Sequence, residues 1–202
     1  MRGISLFPLV DLVCFVMGMR WNILNPLVTA ICAAFCLSVT AWAEDDRAGA
    51  LLDELQRPDL PNWKQVEREI WDEWARSGSP SMDLLLKRGR EAITAGAFET
   101  AIAHLTALTD HAPDFAEGYN ARALAYFRAG LYGPAIADLA RTLELNPRHF
   151  GALSGLGAIL EETGQLEAAR DAYLAARAIH PHDPDLERAV ERLELLTSGR
   201  TL

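Results

Sequence analysis

Between residues 82 and 183, apolar positions recur with the period of a helix, and the whole pattern then repeats as a block. In residues 116–149, one apolar stripe consists of Tyr119, Ala123, Tyr126 and Phe127. A second stripe follows Gly130 and consists of Tyr132, Ile136, Leu139 and Leu143. Each stripe covers one face of a short amphipathic helix. The block therefore predicts two helices joined by a tight turn.

The same block occurs three times, at 82–115, 116–149 and 150–183. Three residue types mark each copy at fixed offsets, namely Gly96, Ala101 and Pro113, then Gly130, Ala135 and Pro147, then Gly164, Ala169 and Pro181. Glycine supplies the positive φ that ends a helix, and proline cannot continue the second helix. The methyl group of alanine lets two helices approach to about 8–9 Å. Because one helix pair cannot bury both of its faces, the three units are expected to stack.

These positions resemble the tetratricopeptide repeat (TPR) family, whose 34-residue unit has small, aromatic, glycine, alanine and proline positions in this order. The resemblance covers residues 82 to about 183, which is half of the chain. It implies an all-α fold, a TPR-type α-solenoid with three helix-turn-helix repeats in residues 81–182. It also implies that the first helix of each repeat lines the concave face of the stack.

Two segments with one apolar face flank the repeats, and we expect them to cap the stack. Residues 44–80 are predicted to form a helical N-terminal cap whose inward side chains are Val66, Ile70, Trp71 and Trp74. Residues 183–202 are predicted to form a C-terminal capping helix and tail, with an apolar stripe of Leu186, Val190 and Leu193. Asp183 or Asp185 suits the N-cap position, and Pro184 suits the first turn.

Residues 1–43 have the parts of a secretory signal peptide, with a basic residue before an apolar run at 27–39 and a small-x-small triplet that ends at Ala43. We expect cleavage after Ala43 and export to a periplasm, with the true start at Met17 or Met19. The alternative is an uncleaved membrane anchor, although the apolar run has about 17 residues and a spanning helix needs about 20. After cleavage, no stable membrane insertion is expected.

The charge of the remaining chain restricts its partners. Residues 44–202 hold 17 Lys and Arg against 27 Asp and Glu, a formal charge of −10. That balance repels a phosphate backbone, so no nucleic acid is expected as a partner, and anionic lipid surfaces are disfavoured for the same reason. All three cysteines lie in residues 1–43, so the rest of the chain offers no disulfide and no thiolate.

No catalytic signature is present: the sequence lacks a P-loop, a G-x-S-x-G elbow and an H-E-x-x-H motif. Only His180 to Asp183, with the sequence HPHD, gathers metal-ligand residue types, and a metal site would need further ligands from elsewhere. We interpret this segment as a loop with exposed histidines, and His149 as a surface or half-buried residue. The prediction is a protein that is not an enzyme and has no metal or other cofactor. A metal-dependent factor that uses His180 and His182 is the least favoured alternative.

The TPR resemblance implies a peptide-binding groove on the first helices. Its candidate contact residues are Leu86, Lys87, Arg90, Asn120, Leu124, Phe127, Arg128 and Glu161. The Asn120 amide can hold an extended backbone, while Arg90 and Arg128 can pair with carboxylates. A groove that is basic at one end and acidic at the other suits a peptide of mixed charge.

We therefore predict a non-catalytic interaction or scaffold module of the cell envelope, which binds a peptide segment of a partner protein. The alternative is a structural subunit that assembles through its convex face and through Trp63, Trp71 and Trp74. The sequence alone favours neither a particular partner nor a particular oligomeric state.

Overall fold

The computed structural model describes residues 47–199, which form nine α-helices and no strand. In chain order the helices are α1 Arg47–Leu55, α2 Trp63–Trp74, α3 Pro80–Thr94, α4 Phe98–His111, α5 Ala116–Arg128, α6 Tyr132–Leu145, α7 Phe150–Glu162, α8 Leu166–Ile179 and α9 Pro184–Ser198. The predicted all-α fold is confirmed. The predicted signal peptide lies outside the described residues. Within residues 47–199, none of the helices has the length and apolar character that crossing a membrane requires.

The turns inside the three repeats share one glycine conformation. Gly96, Gly130 and Gly164 have φ values of 74°, 74° and 77°. In the first of these turns, the N–H of Ala97 donates to the carbonyl of Ala92 at 2.9 Å and so satisfies a carbonyl at the end of α3. A side chain at the glycine would strain this backbone, so the position depends on glycine.

The two helices of each repeat approach each other through small residues. The three marker alanines Ala101, Ala135 and Ala169 are fully buried. On the facing helices, a β-carbon at Gly89 would overlap the side chain of Leu105, and one at Gly157 would overlap the ring of Tyr173. The first and third repeats therefore each pair a glycine on one helix with a large side chain on the other.

The repeats stack so that the first helices α3, α5 and α7 lie side by side, with α4, α6 and α8 packed against them. The face formed by α3, α5 and α7 is called the groove below. At the far end, α9 packs on α8 and buries Leu186, Val190 and Leu193. The Asp183 carboxylate caps α9 by accepting from the Asp185 N–H at 2.8 Å.

Helices α1 and α2 (residues 47–74, called the N-terminal helix pair) do not extend this stack as a further repeat. They pack on each other, and their apolar cluster of Leu51, Leu52, Leu55, Leu60, Val66 and Ile70 is completed by Phe150 at the start of α7. Ile179 at the end of α8 also packs against this cluster. Only Ala75, just after α2, joins the apolar cluster of the first repeat. The segment predicted as an N-terminal cap thus rests mainly on the second and third repeats.

Candidate functional site

A buried carboxylate organises the polar part of the groove. Glu117, in the first turn of α5, has only 3% of its surface exposed. It accepts hydrogen bonds from Arg90 Nη2 at 2.6 Å, from Asn120 Nδ2 at 3.1 Å and from His149 Nε2 at 2.9 Å. His149 Nδ1 accepts the N–H of Ala152, so the neutral ring carries its proton on Nε2 and donates it to Glu117. One carboxylate therefore connects α3, α5 and the start of α7.

Two of the predicted binding residues are part of this network. Arg90 stays 41% exposed at its side chain while it pairs with Glu117, so a ligand can still reach the guanidinium. The Asn120 amide donates to both Glu117 oxygens, so a bound peptide backbone would compete with an existing bond. Arg90 and Glu117 stand 27 positions apart in the chain, so their pairing could not be predicted from local sequence patterns. Peptide binding by Arg90 and Asn120 stays a prediction.

The apolar part of the groove lies between α5 and α7. A cavity of about 280 Å³ is lined there by Leu124, Phe127, Gly155 and Ile159, together with Trp71 from α2. Leu124 is 46% exposed, so apolar surface at the edge of this cavity remains accessible to a ligand. Leu86, predicted as a contact residue, is only 2% exposed and belongs to the core of the first repeat, and it also lines the cavity at α3 described next.

The basic residues lie at the α3 end of the groove and at the end of α5. A second, open cavity of about 470 Å³ is lined by Asp83, Lys87, Arg90 and Thr94. Lys87 is exposed there, 3.9 Å from Glu91, and Arg128 is exposed in the last turn of α5. These cations are therefore accessible to a carboxylate ligand.

The predicted acidic end of the groove is weaker than its sequence indicates. Glu161 accepts two hydrogen bonds from Arg192 of α9, at 3.0 and 2.8 Å, which offsets its charge. The phenol of Tyr173 donates to the same carboxylate at 3.4 Å. Burial, with a further contribution from the Glu161 charge, raises the pKa of Tyr173 to about 12, so the phenol remains a donor at neutral pH. Glu161 thus connects α7 with α8 and α9.

The histidines expected at the surface are buried, and this expectation was wrong. His149 and His180 are both fully buried, because the N-terminal helix pair covers the loops in which they lie. The ring of Trp74 stacks on His149 at a centroid distance of 4.2 Å, and Trp63 meets His180 edge-on at 5.5 Å. Phe150 lies between the two loops, 5.0 Å from the His180 ring. The sequence indicates that these histidines lie in loops, but it does not indicate which helices cover those loops.

His180 is buried without a hydrogen-bond partner on either ring nitrogen. Burial lowers its pKa, and the nearby charges of Glu67 and Asp183 only partly oppose that effect. Glu67 Oε1 lies 3.7 Å from Nε2, too far for a hydrogen bond. The neighbouring His182 donates from Nε2 to the Arg57 carbonyl at 2.8 Å. Within residues 47–199, no group of three or more His, Cys, Asp or Glu side chains is placed to hold a metal ion.

Comparison with known proteins identifies the architecture. The family profile described as "Tetratricopeptide repeat" matches residues 86–142 and 128–184. A TPR repeat-containing protein of Rhizobium etli is 34% identical over 157 residues, which cover 77% of this chain and 77% of that protein. The chain belongs to the tetratricopeptide repeat family.

Solved TPR structures share the fold at lower identity. The first TPR of Spaghetti (RPAP3), bound to an HSP90 peptide, is 23% identical with a TM-score of 0.57, and the match covers 59% of this chain and 95% of that one. The Yersinia enterocolitica type III secretion chaperone SycD, in complex with a peptide of the translocator YopD, is 15% identical with a TM-score of 0.55. That match covers 59% of this chain and 96% of the chaperone. At these identities the likeness concerns the TPR fold.

Proposed function

We propose that this TPR protein is a non-catalytic interaction module that binds a peptide segment of a partner protein in its groove. The observation that carries the proposal is the apolar cavity between α5 and α7, beside which Leu124 remains 46% exposed. The Spaghetti TPR is bound to an HSP90 peptide and SycD to a YopD peptide, so the shared fold is compatible with peptide capture. Because one fold can serve many functions, the proposal rests on the cavity, which is a local feature of the kind that binds ligands.

The charges of the groove favour a peptide with apolar side chains next to an acidic group. Lys87 and Arg128 are exposed, and Arg90 is partly exposed, so the groove offers a carboxylate on the ligand cations at α3 and at the end of α5. Glu161, by contrast, is already paired with Arg192 and offers little to a basic ligand. We therefore expect a ligand with apolar and acidic groups, instead of the peptide of mixed charge that the sequence indicates.

We place this function in the cell envelope on the basis of the predicted signal peptide in residues 1–43. Fractionation of the native host and N-terminal sequencing of the isolated protein test this placement. A mature N-terminus at Glu44 in the periplasmic fraction is the expected result. An N-terminus before residue 27 in the membrane fraction would support the anchor instead.

Assembly through the tryptophans is less favoured as a function. Trp63, Trp71 and Trp74 are only partly exposed, because they pack against His149, Phe150 and His180 of the same chain. A partner could use their rings only after the N-terminal helix pair had detached. Size-exclusion chromatography of the full chain tests self-association directly.

The groove is tested by a pair of matched substitutions in the full chain. A phage-displayed library of random dodecapeptides is selected on the wild-type protein, and the affinity of the best peptide is measured by fluorescence anisotropy. Leu124→Asp should weaken binding at least about tenfold, since an unpaired carboxylate buried against an apolar ligand costs more than ~1.4 kcal/mol. Leu131→Asp is the control, because Leu131 is also 46% exposed but lies in the turn before α6. Equal loss in both variants would contradict groove binding.

A further inference from the structure

One part of the groove is already occupied by a side chain of the same protein. Trp71 of α2 lies against Gly151 of α7, so closely that a β-carbon at this glycine would overlap the indole ring. The same ring lines the apolar cavity together with Leu124 and Phe127. The rings of Phe150 and His149 form T-shaped pairs with it, at centroid distances of 5.2 and 5.6 Å. The aromatic side chain of Trp71, which lies outside the repeats, thus fits against the surface of α7 at Gly151.

The shape of this position explains why it takes a flat ring. Gly151 and Gly155 leave the surface of α7 without side chains, and Leu124 and Phe127 of α5 line the facing side. A planar aromatic group can lie on a surface made of backbone and also contact the ring edges around it. A branched aliphatic side chain has neither the reach nor the flat face to do both.

The N-terminal helix pair that carries Trp71 has the features of a unit that can leave the groove. It has its own apolar cluster, to which the repeats add Phe150 and, in part, Ile179. Its polar contacts with the repeats lie at the surface, such as Asp53 with Arg148 at 2.8 Å and Gln56 with the Ala178 carbonyl at 3.0 Å. It joins α3 through residues 75–79, in which Gly78 has a φ of 76°.

We propose that Trp71 is an internal occupant of the groove, and that the partner is a peptide segment with a bulky aromatic residue that replaces Trp71 on Gly151. This inference rests on the proposed function and specifies its ligand. The protein's own helix pair then competes with the partner. When a groove is free in only one molecule in a hundred, its apparent affinity falls about a hundredfold.

The test uses the full chain as wild type and with Trp71→Ala, and Trp63→Ala serves as the matched control. Trp63 lies on the same helix but contacts His180 and His182 at the loop after α8. A library of random dodecapeptides is selected on the Trp71→Ala protein, and the affinity of each recovered peptide is measured for all three proteins. We expect one position of the recovered peptides to be enriched in Trp, Phe or Tyr. We also expect those peptides to bind Trp71→Ala at least about tenfold more tightly than wild type and Trp63→Ala.

The possible outcomes separate this inference from the proposed function. Peptides that bind all three proteins equally, or that show no aromatic preference, would overturn the inference and leave groove binding intact. Absence of any binding peptide would overturn both. Trp71→Phe guards against a folding defect, because it keeps a ring on Gly151 and should bind the peptides nearly as weakly as wild type. If Trp71→Phe instead binds like Trp71→Ala, occupation by the ring is not what limits the affinity, and the inference fails.

Discussion

The interior of the repeat stack and the contact of the N-terminal helix pair with that stack are built differently. Inside the stack, the closest approaches use fully buried alanines and large aliphatic side chains such as Leu105 and Leu108. Under the helix pair, the contact uses tryptophan rings, Phe150 and two fully buried histidines. The apolar contacts of the first interior recur every 34 residues, whereas the second contact occurs once and places two fully buried histidines among aromatic rings. We infer that the repeats stay packed on one another, whereas the N-terminal helix pair can detach from them.

The largest expected effect comes from a cavity inside the stack. Leu105 is fully buried and packs where Gly89 leaves room for it. Leu105→Ala should lower the free energy of unfolding by about 2–5 kcal/mol, because the lost contacts leave a cavity that the helices cannot close. Urea unfolding followed by far-UV circular dichroism measures it, with Leu131→Ala, an exposed leucine, as the control that should stay within about 0.5 kcal/mol. Similar losses in the two variants would contradict the description of the stack interior.

A smaller effect is expected from the charged pair inside the stack. Arg122 of α5 donates to both oxygens of Asp138 of α6, at 2.7 and 2.8 Å, and the Asp138 side chain is 9% exposed. Asp138→Asn keeps the shape but removes the charge, so the bonds weaken and a half-buried guanidinium loses its partner. We expect a loss of about 1.5–3 kcal/mol in the free energy of unfolding, measured by the same urea titration.

Acid should loosen the helix pair before it affects the stack. Burial lowers the pKa of His180 below 6.5 when the pair is docked, while the released form titrates near its ordinary value. The contribution of His180 to docking is therefore fully present well above pH 6.5, and it decreases as the pH falls from 6.5 toward the docked-state pKa. Each pH unit in that window removes about 1.4 kcal/mol of docking free energy.

Hydrogen exchange of the α1 and α2 amides against pH measures this loosening. His180→Phe is the control variant, since Phe fills the space among Trp63 and Phe150 and cannot take up a proton. Glu67, Asp183 and His182 also face this site, so the comparison with His180→Phe isolates the contribution of His180. The same pH dependence in both proteins would assign the effect to another group.

The smallest effect is expected from the surface contact of the pair. Asp53 and Arg148 are 73% and 37% exposed at their side chains, so water screens their attraction. Asp53→Asn, the same substitution as at Asp138, should change the free energy of unfolding by at most about 1 kcal/mol. If Asp53→Asn lowered the free energy of unfolding as much as Asp138→Asn, the helix pair would be held as firmly as the repeats. That result would contradict a helix pair that can detach.

The fold could be predicted from the sequence because it depends on local, repeated features. A glycine that ends a helix, an alanine at a crossing and a proline after the second helix act within one 34-residue unit, and three copies support one another. The position of the helix pair could not be predicted in this way. It depends on single contacts such as Trp74 with His149, between segments 75 positions apart and outside the repeat register.

One signal in the sequence did point to that contact. Phe150 occupies the first position of the third copy, where the other copies have Met82 and Ala116, and a large aromatic residue there needs a cover. Along α2, Trp71 and Trp74 give the helix more apolar surface than the nine-residue α1 could bury. The groove residues Arg90 and Asn120 carried no comparable signal for their bonds to Glu117, because such bonds depend on the stacking of two repeats.

Nuclear Overhauser spectroscopy of the isotope-labelled full chain locates the Trp71 ring relative to α7. We expect cross-peaks between the indole protons of Trp71 and the α-protons of Gly151, which Trp71→Ala should abolish while the repeat helices remain folded. Cross-peaks from Trp71 to side chains of α3 alone, with none to Gly151, would place the helix pair as an end cap and contradict the occupied groove.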